Sequence, residues 1–273
     1  MEILRFRAFT RPDNAQSGNP AGVVIDADPL SDADMLTIAA DLGFSETAFL
    51  FGIAPDSARV RYFTPRAEIA FCGHATIASG VVLARRGAAS MVSMSTNVGV
   101  VPVEVSPDRA TLTAVDTFVE PLDPESLAEL LDALRLTRSD LDPTLPPAFI
   151  RGGNPHPLLP VGGGVLNRLD HDAGAVLRLQ DSQGWDGTIP VVHRISEARF
   201  ASRNPFPRGG IREDPATGSA AAGLGEYLRQ GGHFAAPGDV TVEQGAETGR
   251  PSSITVTIPK SGRIRVTGTA EVL

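Results

Sequence analysis

Five side chains in this sequence combine reactive chemistry with a glycine or a strand end beside them: Glu46, Cys72, His74, Asp214 and Ser219. Glu46 sits in Ser45-Glu46-Thr47-Ala48-Phe49, where a strand pattern begins. Between Phe44 and Phe49 a carboxylate loses hydration, and its pKa rises toward that of a general base. The plainer reading is an exposed or helix-capping Glu. Cys72, placed before Gly73 at a helix start, is either an acidified nucleophile or a small buried residue. His74 is kept neutral by a helix N-terminus and could orient a ligand or relay a proton, or it is structural. Asp214, before Pro215-Ala216-Thr217-Gly218, either caps the coming turn or supplies a second carboxylate across a cleft. Ser219 offers a hydroxyl at another helix start. His156, His171, His193 and His233 show no His-x-His or His-Glu-x-x-His spacing, so no metal site is expected.

The elements that must position these residues can be read from periodicity. Residues 74–86 and 219–230 are apolar nearly all round and end at Gly87 and at Gly231-Gly232. A helix apolar on every side is buried on every side. At about 13 residues, roughly 20 Å, each is too short to cross a bilayer, so strands must surround it. Strand patterns abound, from 3–8 through 23–26, 47–51, 59–63, 91–95, 98–105 and 110–115. They resume at 191–192, 198–201, 240–243, 253–258 and 264–267. Two further helices are amphipathic, one capped by Ser31 with Met35, Ile38, Ala39 and Leu42 inward, the other over 125–136.

The two buried helices look like copies. Gly73, Ala75, Gly80, Leu83 and Gly87 recur as Gly218, Ala220, Gly225, Leu228 and Gly232, and Gly18-Asn19-Pro20 recurs as Gly153-Asn154-Pro155. The expected fold is α+β, with two pseudo-symmetric domains. Each is a curved, mostly antiparallel sheet or barrel wrapped around a central buried helix. The domains span 1–116 and 117–273, and the last C-terminal residues can complete the first. Both helix N-termini then face one cleft, where free N–H groups suit a carboxylate and Gly73 and Gly218 allow close approach.

Composition narrows the chemistry further. The chain has 273 residues, 42% hydrophobic and 21% charged, with 28 Gly and 22 Pro, which favours many turns and short strands. Lys260 is the only lysine and Cys72 the only cysteine. One cysteine excludes an internal disulfide and a Cys-rich zinc site. One lysine nearly removes Schiff-base chemistry and, because Lys260 follows an Ile-Thr-Val-Thr-Ile-Pro strand, also removes a P-loop. A formal charge of −8 and no Arg run longer than Arg85-Arg86 argue against nucleic acid and anionic membranes. With no signal peptide pattern, the expectation is a soluble cytoplasmic protein acting on a small molecule.

Together these segments resemble the PhzF-like (phenazine biosynthesis) isomerase/epimerase family, which shares the diaminopimelate epimerase-like fold. The matching runs are Gly18-Asn19-Pro20-Ala21-Gly22-Val23, Ser45-Glu46-Thr47-Ala48-Phe49, Phe63-Thr64-Pro65, and Glu68 with Phe71, Gly73, His74 and Ala75. They continue in Gly153-Asn154-Pro155, Glu213-Asp214-Pro215-Ala216-Thr217-Gly218-Ser219-Ala220, and Gln244-Gly245 with Gly249-Arg250-Pro251. The resemblance implies a homodimer with no metal or organic cofactor, whose partner is a small carboxylate substrate. It implies that Glu46 is the acid/base, that His74 and Asp214 are catalytic, and that Gly73, Ala75, Gly218 and Ser219 bind substrate. The phenazine enzyme isomerises dihydro-hydroxyanthranilate. Cys72 falls where related thiol epimerases carry one of two cysteines, but Thr217 replaces the other. The leading expectation is thus a cofactor-independent isomerase using Glu46. A thiol-dependent racemase using Cys72 and a non-catalytic carboxylate-binding protein are the alternatives.

Overall fold

The structure is a computed structural model and describes residues 1–273. Its strands form one continuous ribbon that wraps around two helices in succession. The first half contains β1 (Glu2–Ala8), β2 (Asn19–Ile25), β3 (Glu46–Ala54), β4 (Ser57–Phe63), the short β5 (Glu68–Ile69), β6 (Met91–Thr96), β7 (Gly99–Val105) and β8 (Arg109–Thr113). The second half contains β9 (Phe118–Pro121), β10 (Ala148–Arg151), β11 (Pro155–Pro160), β12 (Val191–Ser196), β13 (Arg199–Arg203), β14 (Gly238–Gln244), β15 (Ser252–Ile258) and β16 (Arg265–Val272). Six helices complete the chain: α1 (Asp32–Leu42), α2 (Gly73–Arg85), α3 (Pro124–Ala133), α4 (Val165–Arg168), α5 (Ala173–Gln183) and α6 (Gly218–Gln230).

The same connection pattern occurs twice. Antiparallel β1–β2 leads by way of α1 to β3, which lies parallel to β2, and β4 leads through α2 to parallel β6. Antiparallel β10–β11 likewise leads past α5 to parallel β12, and β13 through α6 to parallel β14. All other pairings of named strands are antiparallel. The last strand, β16, is shared. It pairs with β8 and β1, closing eight strands around α2, and also with β15. Around α6 the ribbon stays open, because β9 ends it without a second partner.

Burial follows the sequence pattern. Every residue of α2 from Gly73 to Leu83 is buried, as is every residue of α6 from Gly218 to Leu228. In β15, Ile254, Val256 and Ile258 point into the core while alternate residues do not. On the outer face of the second half, Leu127, Leu130 and Leu131 of α3 join Val176 and Leu179 of α5 in a separate apolar cluster. Asp123 caps α3 by accepting from the backbone of Glu125 and Ser126, which locks Pro124 into the first turn. No helix is long and apolar enough to cross a membrane.

Candidate functional site

The N-termini of α2 and α6 abut. A β-carbon built on Gly73 would lie 3.1 Å from the Gly218 Cα, and one on Gly218 would lie 3.4 Å from the Gly73 Cα. Glycine at both positions therefore lets the two helix ends approach each other, a reason distinct from room for a ligand. Neither Cys72 nor Thr217, the residues preceding the helices, caps its helix with a side-chain hydrogen bond. The first N–H groups of both helices are thus free to meet an anion.

Beside these ends lies a cavity of about 720 Å³. Glu46, Cys72, Gly73, His74, Asp214, Gly218 and Ser219 all line it, although Glu46 is only 6%, His74 3% and Asp214 6% exposed. Ala75 is the exception among the expected residues. Its side chain packs in the main core and does not line the cavity.

Each chemical group is held by an identifiable element. Glu46 opens β3, in register with Ala21 of parallel β2. One carboxyl oxygen, Oε2, is 3.5 Å from His74 Nε2 and has no hydrogen-bond partner. Burial pushes the Glu46 pKa up to about 8, and the nearby negative charge of Asp214 adds to the effect. Asp214 is raised to about 6, again mainly by burial. Donors on Thr217 and Asn19 oppose that rise, with Thr217 Oγ1 donating to Asp214 Oδ2 at 2.5 Å and Asn19 Nδ2 to Asp214 Oδ1 at 2.7 Å. The two carboxyls titrate as an interacting pair, both held above the ordinary carboxylate range by burial. Next along the chain, Glu213 forks onto Arg203 at 3.0 and 2.5 Å, which fixes the segment that presents Asp214.

His74 is held neutral, its pKa lowered to about 4, and burial rather than the helix dipole is the main cause. Its Nδ1 lies 3.3 Å from both the Asn19 amide nitrogen and Cys72 Sγ. Asn19 gives its two amide hydrogens to Asp214 and to the Ala216 carbonyl. Its approach to Nδ1 is thus a close contact that does not fix which ring nitrogen carries the proton. The Cys72 thiol is buried and pushed well above its ordinary pKa by desolvation and by Glu46. It is a poor source of thiolate. Glu46, Cys72 and His74 nevertheless bring their ligand atoms within 4.8 Å of one another, and they are the residues here that could hold a metal ion. Spacing along the sequence gave no hint of this set.

Two features of the site escape sequence reasoning. Asn19 donates across the cleft to the Ala216 carbonyl at 3.2 Å, and Asn154 donates the opposite way to the Phe71 carbonyl at 3.3 Å. Phe71 and Ala216 occupy the same place in the two repeats, two residues before the helix glycines. The repeated Gly-Asn-Pro runs are thus a reciprocal brace, a meaning only the paired helices reveal. The other feature is His156, which had no motif around it. It is buried at the cavity wall with Nε2 2.9 Å from Ser219 Oγ. The signal was its place two residues after Asn154, where the other repeat has Ala21.

Known proteins resemble the chain along its whole length. The model of the PhzC-PhzF family, described as phenazine biosynthesis-like protein, matches residues 6–273. The uncharacterized isomerase YddE of Escherichia coli K12 is 34% identical over 289 residues, covering 100% of this chain and 96% of its own. A trans-2,3-dihydro-3-hydroxyanthranilate isomerase of Pseudomonas fluorescens is 29% identical and covers 86% of this chain and 83% of its own. The crystal structure of a Bacillus anthracis phenazine biosynthesis protein of the PhzF family superposes with a TM-score of 0.84 at 26% identity, covering 100% and 98% of the two chains.

Proposed function

The chain belongs to the phenazine biosynthesis-like (PhzC-PhzF) family of isomerases, and on that premise we propose that it moves a proton between carbons of a small carboxylic acid, with Glu46 as the acid/base. One observation carries the reading. A buried carboxyl with an unpartnered oxygen and a pKa raised to about 8 faces a cavity built on two helix N-termini. Structural cores avoid such a group, because burying it unpaired costs free energy. General acid/base chemistry near neutrality needs one.

The substrate carboxylate binds the free N–H groups at Gly73, Gly218 and Ser219. Those donors also stabilise the anion that forms when a proton leaves a carbon conjugated with the carboxylate. Ionised Glu46 takes the proton, and its raised pKa makes it a far stronger base than an ordinary carboxylate. The same carboxyl returns the proton to another carbon of the delocalised anion. His74, with Nε2 3.5 Å from Glu46 Oε2, orients that carboxyl toward the cavity. Asp214, through its negative charge, makes Glu46 hold its proton more firmly. Ala75 contributes only by packing the first turn of α2.

The test is incubation in heavy water with trans-2,3-dihydro-3-hydroxyanthranilate and a panel of small unsaturated carboxylic acids, read by NMR and mass spectrometry. Solvent deuterium should appear at carbon with at least one of them, and Glu46→Gln should abolish it. Exchange that survives Glu46→Gln would overturn the assignment.

A further inference from the structure

His156 has an environment that fixes where its proton lies. Its Nδ1 is 3.0 Å from the Thr188 carbonyl oxygen and 3.2 Å from Thr188 Oγ1. A carbonyl oxygen can only accept, so Nδ1 carries the hydrogen. The neutral ring then has a lone pair at Nε2, 2.9 Å from Ser219 Oγ. That lone pair is the hydrogen-bond partner the protein offers Ser219 Oγ, so the hydroxyl proton turns toward His156.

The surroundings hold this arrangement. His156 and Thr188 are both buried. Asn204 donates to Thr188 Oγ1 at 3.1 Å and to Thr217 Oγ1 at 3.0 Å. Thr217 in turn donates to Asp214. Both Asn204 amide hydrogens are therefore spent, and its Oδ1 accepts from Ser202 at 2.5 Å. The chain runs from Ser219 to Asp214 with a donor and an acceptor assigned at its fixed links. Among the charged groups, Arg151 acts on the ring and opposes its protonation, while burial keeps it neutral.

We infer that His156 is a positioning residue for substrate selection. By taking the Ser219 proton, it makes Ser219 Oγ present only lone pairs to the cavity, so the ligand favoured there carries a hydrogen-bond donor close to its carboxylate. A hydroxy or amino acid satisfies that oxygen. A plain acid leaves it unpaired, and an ether meets it with like charge. Unpaired buried acceptors are discriminated against more strongly than a missing favourable contact would suggest. The inference rests on the proposed carboxylate site at the helix ends, but its first test does not.

That first test is the ring tautomer in the ligand-free protein, read by nitrogen-15 NMR on histidine-labelled chain. His156→Gln identifies the signal. A hydrogen on Nδ1 and a bare Nε2 at pH 7 are expected, and a hydrogen on Nε2 overturns the inference whatever binds. The second test uses phenylacetate, mandelate and O-methylmandelate as probes in calorimetry. Mandelate should bind about three- to tenfold tighter than phenylacetate, the worth of one hydrogen bond, and O-methylmandelate no tighter. In His156→Phe, or in Ser219→Ala should that variant not fold, the mandelate advantage should vanish. An equal preference in wild type and variant overturns the inference while leaving carboxylate binding intact. Failure of phenylacetate to compete with any other carboxylate counts instead against the helix-end site.

Discussion

The two faces of the cavity descend from the same local architecture and differ in chemistry. On the first face Glu46 lies beside Ala21 of parallel β2, with His74 following Gly73. On the second, Thr188 occupies the position of Glu46, three residues before the Leu159–Val191 pairing of β11 and β12 and beside His156. Ser219 follows Gly218 where His74 follows Gly73. The frame is common to both: abutting glycines, uncapped helix ends and reciprocal Asn19 and Asn154 amides. The side chains differ. The first face carries Glu46 and His74, and the second carries Asp214 together with the neutral Thr188, His156 and Ser219. Under the proposed function, the symmetric frame keeps an anion-holding backbone and divides proton transfer and recognition between its two sides.

The largest effect should come from breaking that asymmetry at its centre. Glu46→Gln should slow solvent exchange about 10³-fold or more, the scale of a lost general base, whereas Thr188→Val should slow it less than about tenfold. Rates of deuterium uptake with one substrate compare the two directly. If they fall equally, the two faces share the proton work.

The brace should also prove unequal. Asn19 donates to charged Asp214 as well as to a carbonyl, while Asn154 donates only to a carbonyl. Asn19→Ala is expected to cost about 2–3 kcal/mol of unfolding free energy and Asn154→Ala about 1, measured by urea titration.

Glu46→Gln should act in the opposite direction on stability. The Glu46 pKa rises from 4.5 to about 8 on folding, so between those values the folded chain holds a proton that the unfolded chain releases. Its stabilising preference is complete below about 4.5 and is lost as pH climbs toward about 8. Gln is spared that loss. The variant should gain roughly 1–3 kcal/mol over wild type at pH 7, with the gap closing near pH 4.5, in melts run across that range.

A smaller shift tests the pair. The negative charge of Asp214 helps raise Glu46, so Asp214→Asn should move the rising limb of the pH–rate profile to lower pH, with about a tenfold loss at its plateau. A limb that moves to higher pH contradicts the assigned direction.

Much of this site was legible before the fold was known, for a physical reason. Glu46, His74, Asp214 and Ser219 all sit at junctions where glycine, proline or a strand start makes local conformation readable. The two helices announced their burial by being apolar all round. His156 was hidden because its partner Ser219 lies in another element and meets it only when β11 packs on α6. Strand β11 was hidden as well, since Pro155, Pro157 and Pro160 mask its apolar run. Helix α5 escaped because Gly174 and the Val-Leu-Arg-Leu alternation weaken its helical period, although Asp172 caps it and Gly184 ends it. The closing pair β1–β16 joins the chain termini; the last residues were expected to complete the first half, but no local pattern reports which strand they meet or in what register.

That Glu46 alone carries the proton is tested most directly by a crystal structure of Glu46→Gln with a bound substrate carboxylate. The carboxylate should sit on the N–H groups of Gly73, Gly218 and Ser219, with the substituted side chain at position 46 about 3–3.5 Å from a carbon that exchanges its hydrogen. A substrate whose exchanging carbon lies instead against Cys72 Sγ or Ser219 Oγ, with position 46 out of reach, would contradict it.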